Sequence, residues 1–311
     1  MATTTTTQID PEVGIYFDNI LLDRHQPYYV HGYFAQERRI PQKNSKTAIF
    51  RRFDNLADAL TPLTEGVTPA SEQISKFDIT AVVSQYGKVV ELSDDVIITV
   101  QDQTSNETAD ILAQNMWSTY DAIIRNMLNA TSSQIDCING VNGNAVTEIT
   151  TTDVERAVDY LEGNNGKKMS PNIEGTNAFG TAPVWAAYWM IIHTDIRSDV
   201  KALSNFLSTA QYPRQQSVLE AEFGSLDEVR VVKTSVAFKS TDSPPIYSNF
   251  MPAANAYGRI AIDDQSMEMI IKPLGAGQDP LNQRQSMGWK GRLGSVILDD
   301  SWIVNLRCTK A

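Results

Sequence analysis

Few residues of this chain are of the types that perform chemistry. Of its three histidines, His25 and His31 lie near the N-terminus, and His193 ends an apolar run close to Asp195. A histidine oriented by an aspartate is part of a nucleophilic triad, but no Gly-x-Ser-x-Gly elbow supplies the serine. A histidine at a strand end more often packs or caps a turn. We therefore expect no enzyme, with a soluble hydrolase using His193 as an alternative.

Cofactor and metal motifs are equally scarce. The sequence has no HExxH, no phosphate loop ending in Gly-Lys-Ser/Thr and no EF-hand pattern. Its acidic doublets at 94–95, 263–264 and 299–300 stand at expected turns or helix starts, where aspartate bonds locally. Cys137 and Cys308 are the only cysteines, so they form no disulfide framework and indicate a reducing compartment. We expect no cofactor and no metal.

A long amphipathic helix is predicted over residues 105–129, with Ser105 as its N-cap. The following apolar residues recur at the three-and-four spacing of one helical stripe: Ala109, Leu112, Ala113, Met116, Tyr120, Ile123, Ile124, Met127 and Leu128. At about 1.5 Å per residue the helix would run roughly 37 Å, enough to join distant parts of the molecule. An ordinary core helix is the alternative.

The region before this helix, residues 47–92, predicts a long two-stranded ribbon with a polar tip at 55–71. Its flanks are rich in β-forming residues, whereas the tip contains prolines and glycine and no apolar period. An isolated ribbon is at best marginally stable in water, so it must lie on another surface. That surface is either elsewhere on this chain or on a partner.

The later sequence alternates helix and strand signals and then becomes mainly β, which indicates an α+β fold. A capping box at 152–155 predicts one helix, and residue 194 or 195 caps a second one that runs through Phe206. Gly224 and Ser225 predict a turn. Strands are expected at 185–192, 229–232, 259–262, 267–272, 294–298 and 302–306.

Composition is that of a globular chain, but its charge is unevenly distributed. Of the 311 residues, 42% are hydrophobic and 20% charged, and the longest near-unbroken apolar run, 182–192, is too short to span a bilayer. Residues 93–165 contain twelve acidic residues against two arginines, nearly all of the net charge of −11. This argues against tight nucleic-acid binding, which needs clustered lysine and arginine. A solvated acidic face is the alternative interpretation.

Four segments, taken in order, resemble the major capsid proteins of tailed bacteriophages, in the branch related to the coat protein of N-four-like podoviruses. They are residues 84–95, 189–200, 224–234 and 279–290. Each segment is short, and their order and spacing carry the resemblance, which covers roughly residues 45–310. The chain departs from that branch at His193-Thr194, where His-Pro is usual, and at 235–260, which resembles a local elaboration.

The resemblance implies the Hong Kong 97-type capsid fold. Residues 1–45 would be an N-terminal arm, and residues 46–92 an extended loop overlying the adjacent subunit. Residues 93–133 and 251–311 would form a peripheral domain containing the spine helix 105–129. Residues 134–250 would be the axial domain.

The implied function is that of a major capsid protein. Copies would assemble into hexamers and pentamers of an icosahedral shell, in the bacterial host cytoplasm, and enclose double-stranded DNA in the virion. Expected partners are other copies of the chain, a separate scaffolding protein, a portal protein and, where present, a decoration protein, with no membrane. A nanocompartment shell protein of the same fold and a tail or decoration component remain alternatives.

Six residues are candidate site residues under this reading. Arg51, Arg52 and Lys76 are expected at contacts between subunits. Glu107, Asp110 and Asp121 are expected to form an acidic surface that faces the genome and repels it. Covalent cross-linking between subunits is not expected, because nothing in the sequence identifies the partners of a lysine in the ribbon.

Overall fold

The strands of this protein gather into two sheets and one two-stranded ribbon. A computed structural model describes residues 27–43, 45–63, 65–99, 104–174, 182–213, 218–262, 267–275 and 281–311. His25 and the acidic doublet at 263–264 lie outside these residues. No helix within the described ranges is both long and apolar enough to cross a membrane.

Fourteen strands and four helices are assigned within those ranges. The strands are β1 Gln36–Ile40, β2 Thr47–Phe53, β3 Lys76–Val82, β4 Ser84–Ser93, β5 Gln134–Asp136, β6 Tyr188–His193, β7 Phe206–Ser208, β8 Glu222–Leu226, β9 Val229–Thr234, β10 Tyr247–Pro252, β11 Tyr257–Ile262, β12 Met267–Lys272, β13 Arg284–Ile297 and β14 Ile303–Cys308. The helices are α1 Asp94–Thr99, α2 Thr104–Asn129, α3 Thr151–Gly163 and α4 Arg197–Lys201.

The first sheet has five strands built around β13. Strand β4 pairs with one edge of β13, and β12 and β11 pair with its other edge, all antiparallel. Strand β1, from the N-terminal part of the chain, joins β11 in parallel. The segment expected to be an N-terminal arm therefore contributes a strand to this sheet.

The second sheet has seven strands in the order β5-β14-β10-β6-β9-β8-β7. Its central strands β6 and β9 are buried over almost every residue, in agreement with the strands expected at 185–192 and 229–232. Helix α3 packs Val154, Ala157 and Leu161 into the core on one face of this sheet. The mixture of helices with mostly antiparallel sheets confirms the α+β class.

Helix α2 joins the two sheets, and its prediction is confirmed to within one residue. Leu112 packs against Met287 and Trp289 of the first sheet. Near the other end, Ile124 and Leu128 lie in a cluster with residues of β10, β11 and β14. Ser105 is not the N-cap, since the helix begins at Thr104 and the Ser105 hydroxyl donates to Gln285 Oε1 at 3.3 Å.

The predicted ribbon is too long at its C-terminal end. Strands β2 and β3 pair over seven residues, 47–53 with 76–82, but β4 leaves the ribbon and pairs with β13 of the first sheet. Gly87 lies inside β4 and forms no turn. A side chain there would come within 2.7 Å of the Trp289 carbonyl oxygen, so glycine permits the close strand approach.

Four smaller boundaries also differ from the predictions. Helix α3 is capped by Thr150, whose hydroxyl accepts from the Asp153 backbone N–H, two residues before the expected box. The helix expected to reach Phe206 ends at Lys201, because Phe206 pairs in β7. Gly224 lies inside β8, and the turn follows at Asp227, whose φ is 47°. The segment 294–298 overlaps the end of the 14-residue strand β13.

Candidate assembly interface

The base of the ribbon is fixed to the first sheet by an apolar cluster. Phe50 is buried together with Ala81 and Val83 of the ribbon region and with Ile40 and Ile260 of the first sheet. Gly258 of β11 leaves room for the Phe50 ring, since a side chain there would approach it within 2.7 Å. The ribbon therefore projects from the molecule at a defined place.

The three cations predicted at subunit contacts all bind carboxylates of their own chain. Arg51 lies directly opposite Asp78 and donates to it through Nε at 2.7 Å and through a terminal nitrogen at 3.2 Å. Hydrogen bonding from Arg51 lowers the pKa of Asp78. Lys76 lies 3.6 Å from the same carboxylate, and Arg52 pairs with Asp299, just before β14. These pairs hold the ribbon in register; a contact with another subunit stays a prediction.

The loop between β2 and β3 is the most exposed apolar segment among the described residues. Every described residue from 54 to 75 is exposed, and Leu60 and Leu63 are 87% and 76% exposed. The segment also has four carboxylates, at Asp54, Asp58, Glu65 and Glu72, and no lysine or arginine. We call residues 54–75 the acidic loop. Large apolar side chains clustered in one exposed segment mark an interaction site.

The first sheet carries a shallow trough on the face turned away from α2. Met287 and Trp289 face the helix, so the alternation of β13 turns Gly288 to the other side. Gly288 lies in register between Val89 and Ile270, and these three residues form the floor of a cavity of about 530 Å³. Lys272 and Lys290 line this cavity with one carboxylate, Glu91, whereas Lys88 contributes its backbone because its register with Trp289 turns its side chain to the α2 face. We call this cavity the sheet trough.

The predicted acidic surface on α2 is only partly present. Asp110 is exposed and Glu107 is half-buried. Asp121 is 2% exposed, so the expectation that it lies on a surface is wrong. Its carboxylate accepts the backbone N–H of His31 at 2.9 Å and the His31 ring Nδ1–H at 2.7 Å. The partner lies ninety residues earlier in the chain, so helical periodicity gave no sign of it.

Three exposed carboxylates of segment 93–165 lie on α3, at Glu155, Asp159 and Glu162. Together with the turn between β8 and β9 they line a cavity of about 320 Å³, in which the acidic residues are Glu155, Asp159, Glu162, Asp227 and Glu228. Lys168 bridges Glu162 and Glu228 at 2.9 and 2.6 Å and lowers the pKa of Glu162. Asp153 is buried, and Asp136 pairs with Arg307 at 2.5 Å. The acidic segment is therefore not one surface.

His193 has the wrong tautomer for the base of a triad. Its Nδ1 accepts the backbone N–H of Asp195 at 3.0 Å, so the neutral ring carries its hydrogen on Nε2. A triad base needs the reverse, with Nδ1–H donating to the aspartate. The Asp195 carboxylate instead accepts from Lys239 at 2.9 Å and from the Tyr247 hydroxyl at 3.1 Å. His193 caps the short 3₁₀ turn that begins at Thr194.

This arrangement of two sheets, a long connecting helix and a projecting loop is the phage capsid fold. The chain is similar to the capsid of Ralstonia phage GP4 with a TM-score of 0.70, at 10% identity over 100% of this chain and 99% of the other. It is similar to the capsid of cyanophage P-SCSP1u with a TM-score of 0.64, at 14% identity over 100% and 96%. The head structure of Helicobacter pylori bacteriophage KHP40 gives 0.64, at 13% identity over 100% and 98%.

Sequence comparison identifies the family as well as the fold. The model of the family described as phage capsid protein matches residues 76–306, so the chain belongs to this family. It is a major capsid protein of a tailed phage, it forms the shell and it is located in the virion. No curated protein matches the chain. The narrower likeness to N-four-like podoviruses stays a prediction.

Two features of the interface were missed by reasoning from the sequence. The sheet trough combines residues of β4, β12 and β13, which are up to two hundred residues apart, so no local pattern reveals it. The acidic loop was recognised only as a polar tip. Its signal was present in the spacing of Leu56, Leu60, Leu63 and Val67, which are apolar although they lie outside every core cluster of the described residues.

Proposed function

We propose that the acidic loop of one subunit lies in the sheet trough of the next subunit, and that this contact builds the hexamers and pentamers of the shell. Residues 47–82 are then the extended loop, the first sheet with α2 the peripheral domain and the second sheet with α3 the axial domain, so β4 leaves the segment 46–92 and β14 leaves the segment 251–311 that the sequence assigned. Residues 1–45 are the N-terminal arm, anchored by β1. The exposure of residues 54–75 is the observation that carries this proposal.

Complementary apolar surfaces support the contact. The loop exposes leucines that no described residue of its own chain covers, and the trough exposes Val89, which is 65% accessible, beside Ile270 and Gly288. Burying a leucine side chain completely contributes about 1.5–3 kcal/mol. Two or three loop leucines seated in each neighbour would therefore drive association over many identical contacts.

Complementary charge supports the same pairing. The loop has four carboxylates and no cation, whereas Lys272 and Lys290 line the trough together with Glu91, which pairs with Arg284 at 3.5 Å. Lys290 is also shared with Glu268, 3.7 Å away, so the positive excess is modest. Exposed ion pairs add little affinity but fix the orientation in which two surfaces meet. The acidic loop is thus steered into the trough and held there by apolar contact.

Arg51, Arg52 and Lys76 would act at the edge of this contact. They already neutralise Asp78 and Asp299 in their own chain, which stiffens the ribbon that presents the loop. In a shell, they would also meet carboxylates of the neighbouring subunit. Their contribution is to the register of the contact and not to its strength.

The shell would enclose double-stranded DNA, with Glu107 and Asp110 of α2 facing the genome. Carboxylates next to phosphates repel them, so the DNA could slide during packaging and ejection. Replacing Asp110 by lysine should then slow ejection measured on intact particles. Unchanged packaging and ejection rates would contradict this role. A separate scaffolding protein, a portal protein and, where present, a decoration protein complete the proposed assembly.

Site-specific photo-cross-linking tests the loop contact directly. A photoreactive amino acid in place of Leu60 should form adducts with peptides from β12 or β13 of another subunit, detected by mass spectrometry of isolated shells. The same amino acid at Val141, which is exposed in a different loop, is the control and should not label those peptides. Adducts of position 60 confined to any other region would overturn the proposal.

Matched substitutions then test whether the contact drives assembly. Leu60→Asp should abolish shells seen by electron microscopy, with or without a scaffolding protein, and leave the subunit folded because Leu60 contacts no core. Thr61→Asp adds the same charge to the same exposed loop without removing an apolar side chain, and it should still assemble. Equal assembly by both variants would show that the leucine is not needed.

A further inference from the structure

The two cysteines of the chain lie side by side in the core. Asp136 of β5 is in register with Arg307 of β14, and the next backbone N–H, that of Cys137, donates to the Arg307 carbonyl at 2.9 Å. Cys137 and Cys308 are therefore neighbours across a parallel strand pair. Both are 0% exposed and belong to the same apolar cluster, so both side chains are on one face of the sheet.

Their spacing suits a disulfide bond. Neighbouring strands lie about 4.7–4.9 Å apart, within the range of about 4.4–6.8 Å between Cα atoms that disulfides require. The two thiols are already in hydrogen-bonding contact, and this bond, together with burial, raises the pKa of Cys137. Bond formation would therefore need little movement of the backbone.

The two sulfurs differ in their surroundings. Asn249 Nδ2 donates a hydrogen bond to Cys308 Sγ at 3.1 Å and a second one to the Leu306 carbonyl at 3.0 Å. An N–H aimed at sulfur stabilises negative charge that develops there. Cys137 remains a protonated thiol at neutral pH because its pKa is raised. Cys308 is thus the sulfur that reacts first with an oxidant, and Cys137 is the one that resolves the product.

We propose that Cys137 and Cys308 form an intramolecular disulfide when the protein leaves a reducing compartment and meets a peroxide. The Cys308 sulfur attacks the peroxide and becomes a sulfenic acid, and the thiol proton leaves with the displaced oxygen. The Cys137 sulfur then attacks the Cys308 sulfur, and its proton leaves with the sulfenic hydroxyl as water. Two thiols lose two electrons and the peroxide gains them.

Access for a small oxidant comes from the edge of the sheet. Strand β5 has only three residues and lies at the end of the seven-stranded sheet, so it can open locally without unfolding the core. The disulfide would then close β5 onto β14, the last strand of the chain. A bond made after release from the cell would fasten this edge in the finished particle, where no reductant reverses it.

Thiol counting on isolated protein tests the proposal. Protein purified with reductant should show two alkylatable cysteines after denaturation, and peroxide-treated protein should show none, with a mass lower by about 2 Da, the two hydrogens lost on disulfide formation. Dithiothreitol should restore both thiols, and peptide mapping should link Cys137 to Cys308 within one chain. Persistence of two free thiols, a stable sulfinic acid on Cys308 or disulfide-linked dimers would overturn the proposal.

The variant Cys137→Ser distinguishes disulfide formation between Cys137 and Cys308 from non-specific oxidation of single cysteines. Cys137→Ser should leave a sulfenic acid on Cys308 that a dimedone probe captures, whereas the unaltered protein should give little probe adduct because Cys137 resolves it. Equal capture in both proteins would also overturn the proposal. If the variant does not fold, the peptide map of the unaltered protein decides by itself.

Discussion

Asp121 and His31 attach the N-terminal segment to helix α2, and replacing Asp121 by asparagine should weaken this attachment. The carboxylate accepts two hydrogen bonds from His31, one from the backbone and one from the ring. The His31 carbonyl in turn accepts from the Tyr257 hydroxyl of the first sheet at 2.5 Å. Asparagine keeps the shape of the side chain but offers only one oxygen and turns an N–H₂ group towards one of the two His31 donors.

The expected loss of unfolding free energy in Asp121→Asn follows from these contacts. A hydrogen bond to a charged group contributes about 1.5–3 kcal/mol, and a neutral one about 0.5–1.5 kcal/mol. Asp121→Asn weakens one bond of the first kind to the second, and the His31 ring must either lose its acceptor or move its hydrogen to the buried Nε2, which has no partner among the described residues. The free energy of unfolding should fall by roughly 2–4 kcal/mol, a large share of the ~5–15 kcal/mol that stabilises a typical domain.

Urea unfolding of the unassembled subunit, followed by tryptophan fluorescence, measures this loss. Asp110→Asn is the matched control, because it removes the same charge from an exposed position of the same helix. It should change the unfolding free energy by less than about 0.5 kcal/mol. A loss below that value for Asp121→Asn, or equal losses in the two variants, would refute the reasoning.

Three further changes test other parts of the structure. Phe50→Ala should lower the unfolding free energy by about 3–5 kcal/mol and speed proteolysis of the ribbon, because Phe50 anchors it in the cluster with Ile40. Glu222→Gln should cost about 3–5 kcal/mol in urea unfolding, since it leaves the Arg230 charge buried beside a neutral partner. His193→Gln should flatten the pH dependence of stability. Burial lowers the pKa of His193 below 6.5, so the unfolded chain binds more protons and stability falls as the pH drops below about 6.5.

Each of these predictions has its own control. Phe53→Ala removes an exposed ring from the same strand and should leave proteolysis unchanged. Glu220→Gln changes an exposed carboxylate two residues from Glu222 and should be nearly neutral. Equal effects of Phe50→Ala and Phe53→Ala, or of the two glutamate changes, would contradict the packing argument. An unfolding free energy with the same slope between pH 7.5 and 5 before and after His193→Gln would contradict the third prediction.

Sequence patterns within one segment correctly predicted the helix and strand that such a segment defines by itself. Helix α2 was found almost to the residue, because its apolar stripe repeats over 26 residues and both sheets use it. Strand β12 was predicted at its observed bounds. The ribbon was extended too far because β4 is rich in β-forming residues whichever strand it pairs with, and its partner β13 lies about two hundred residues later. The β-propensity of a segment identifies it as a strand, but hydrogen-bonded pairing with a strand far away in the sequence decides which sheet it joins.

The candidate site residues show the same limit, because the sequence identifies a charged side chain but not the distant residue that it contacts. Arg51 was expected at a contact between subunits, and its partner Asp78 within the chain depends on a register that only the folded ribbon defines. Asp121 was assigned to a genome-facing surface because segment 93–165 is strongly acidic and the resemblance implies that its long helix faces the interior of the shell. The N-terminal segment covers that side of α2 and supplies two donors, which makes burial of the carboxylate favourable. Charge counted along the sequence therefore overstates charge on a surface.

The division between what the subunit buries and what it exposes explains how folding and assembly can be separate steps. Phe50 and its cluster close the base of the ribbon inside one chain, so the projecting loop does not depend on a neighbour for its attachment. The loop itself keeps its leucines in water and carries only negative charge, which makes loops of free subunits repel one another. A trough lined by lysines removes that repulsion and covers the leucines together. The same segment thus opposes random association and favours the one contact that completes it.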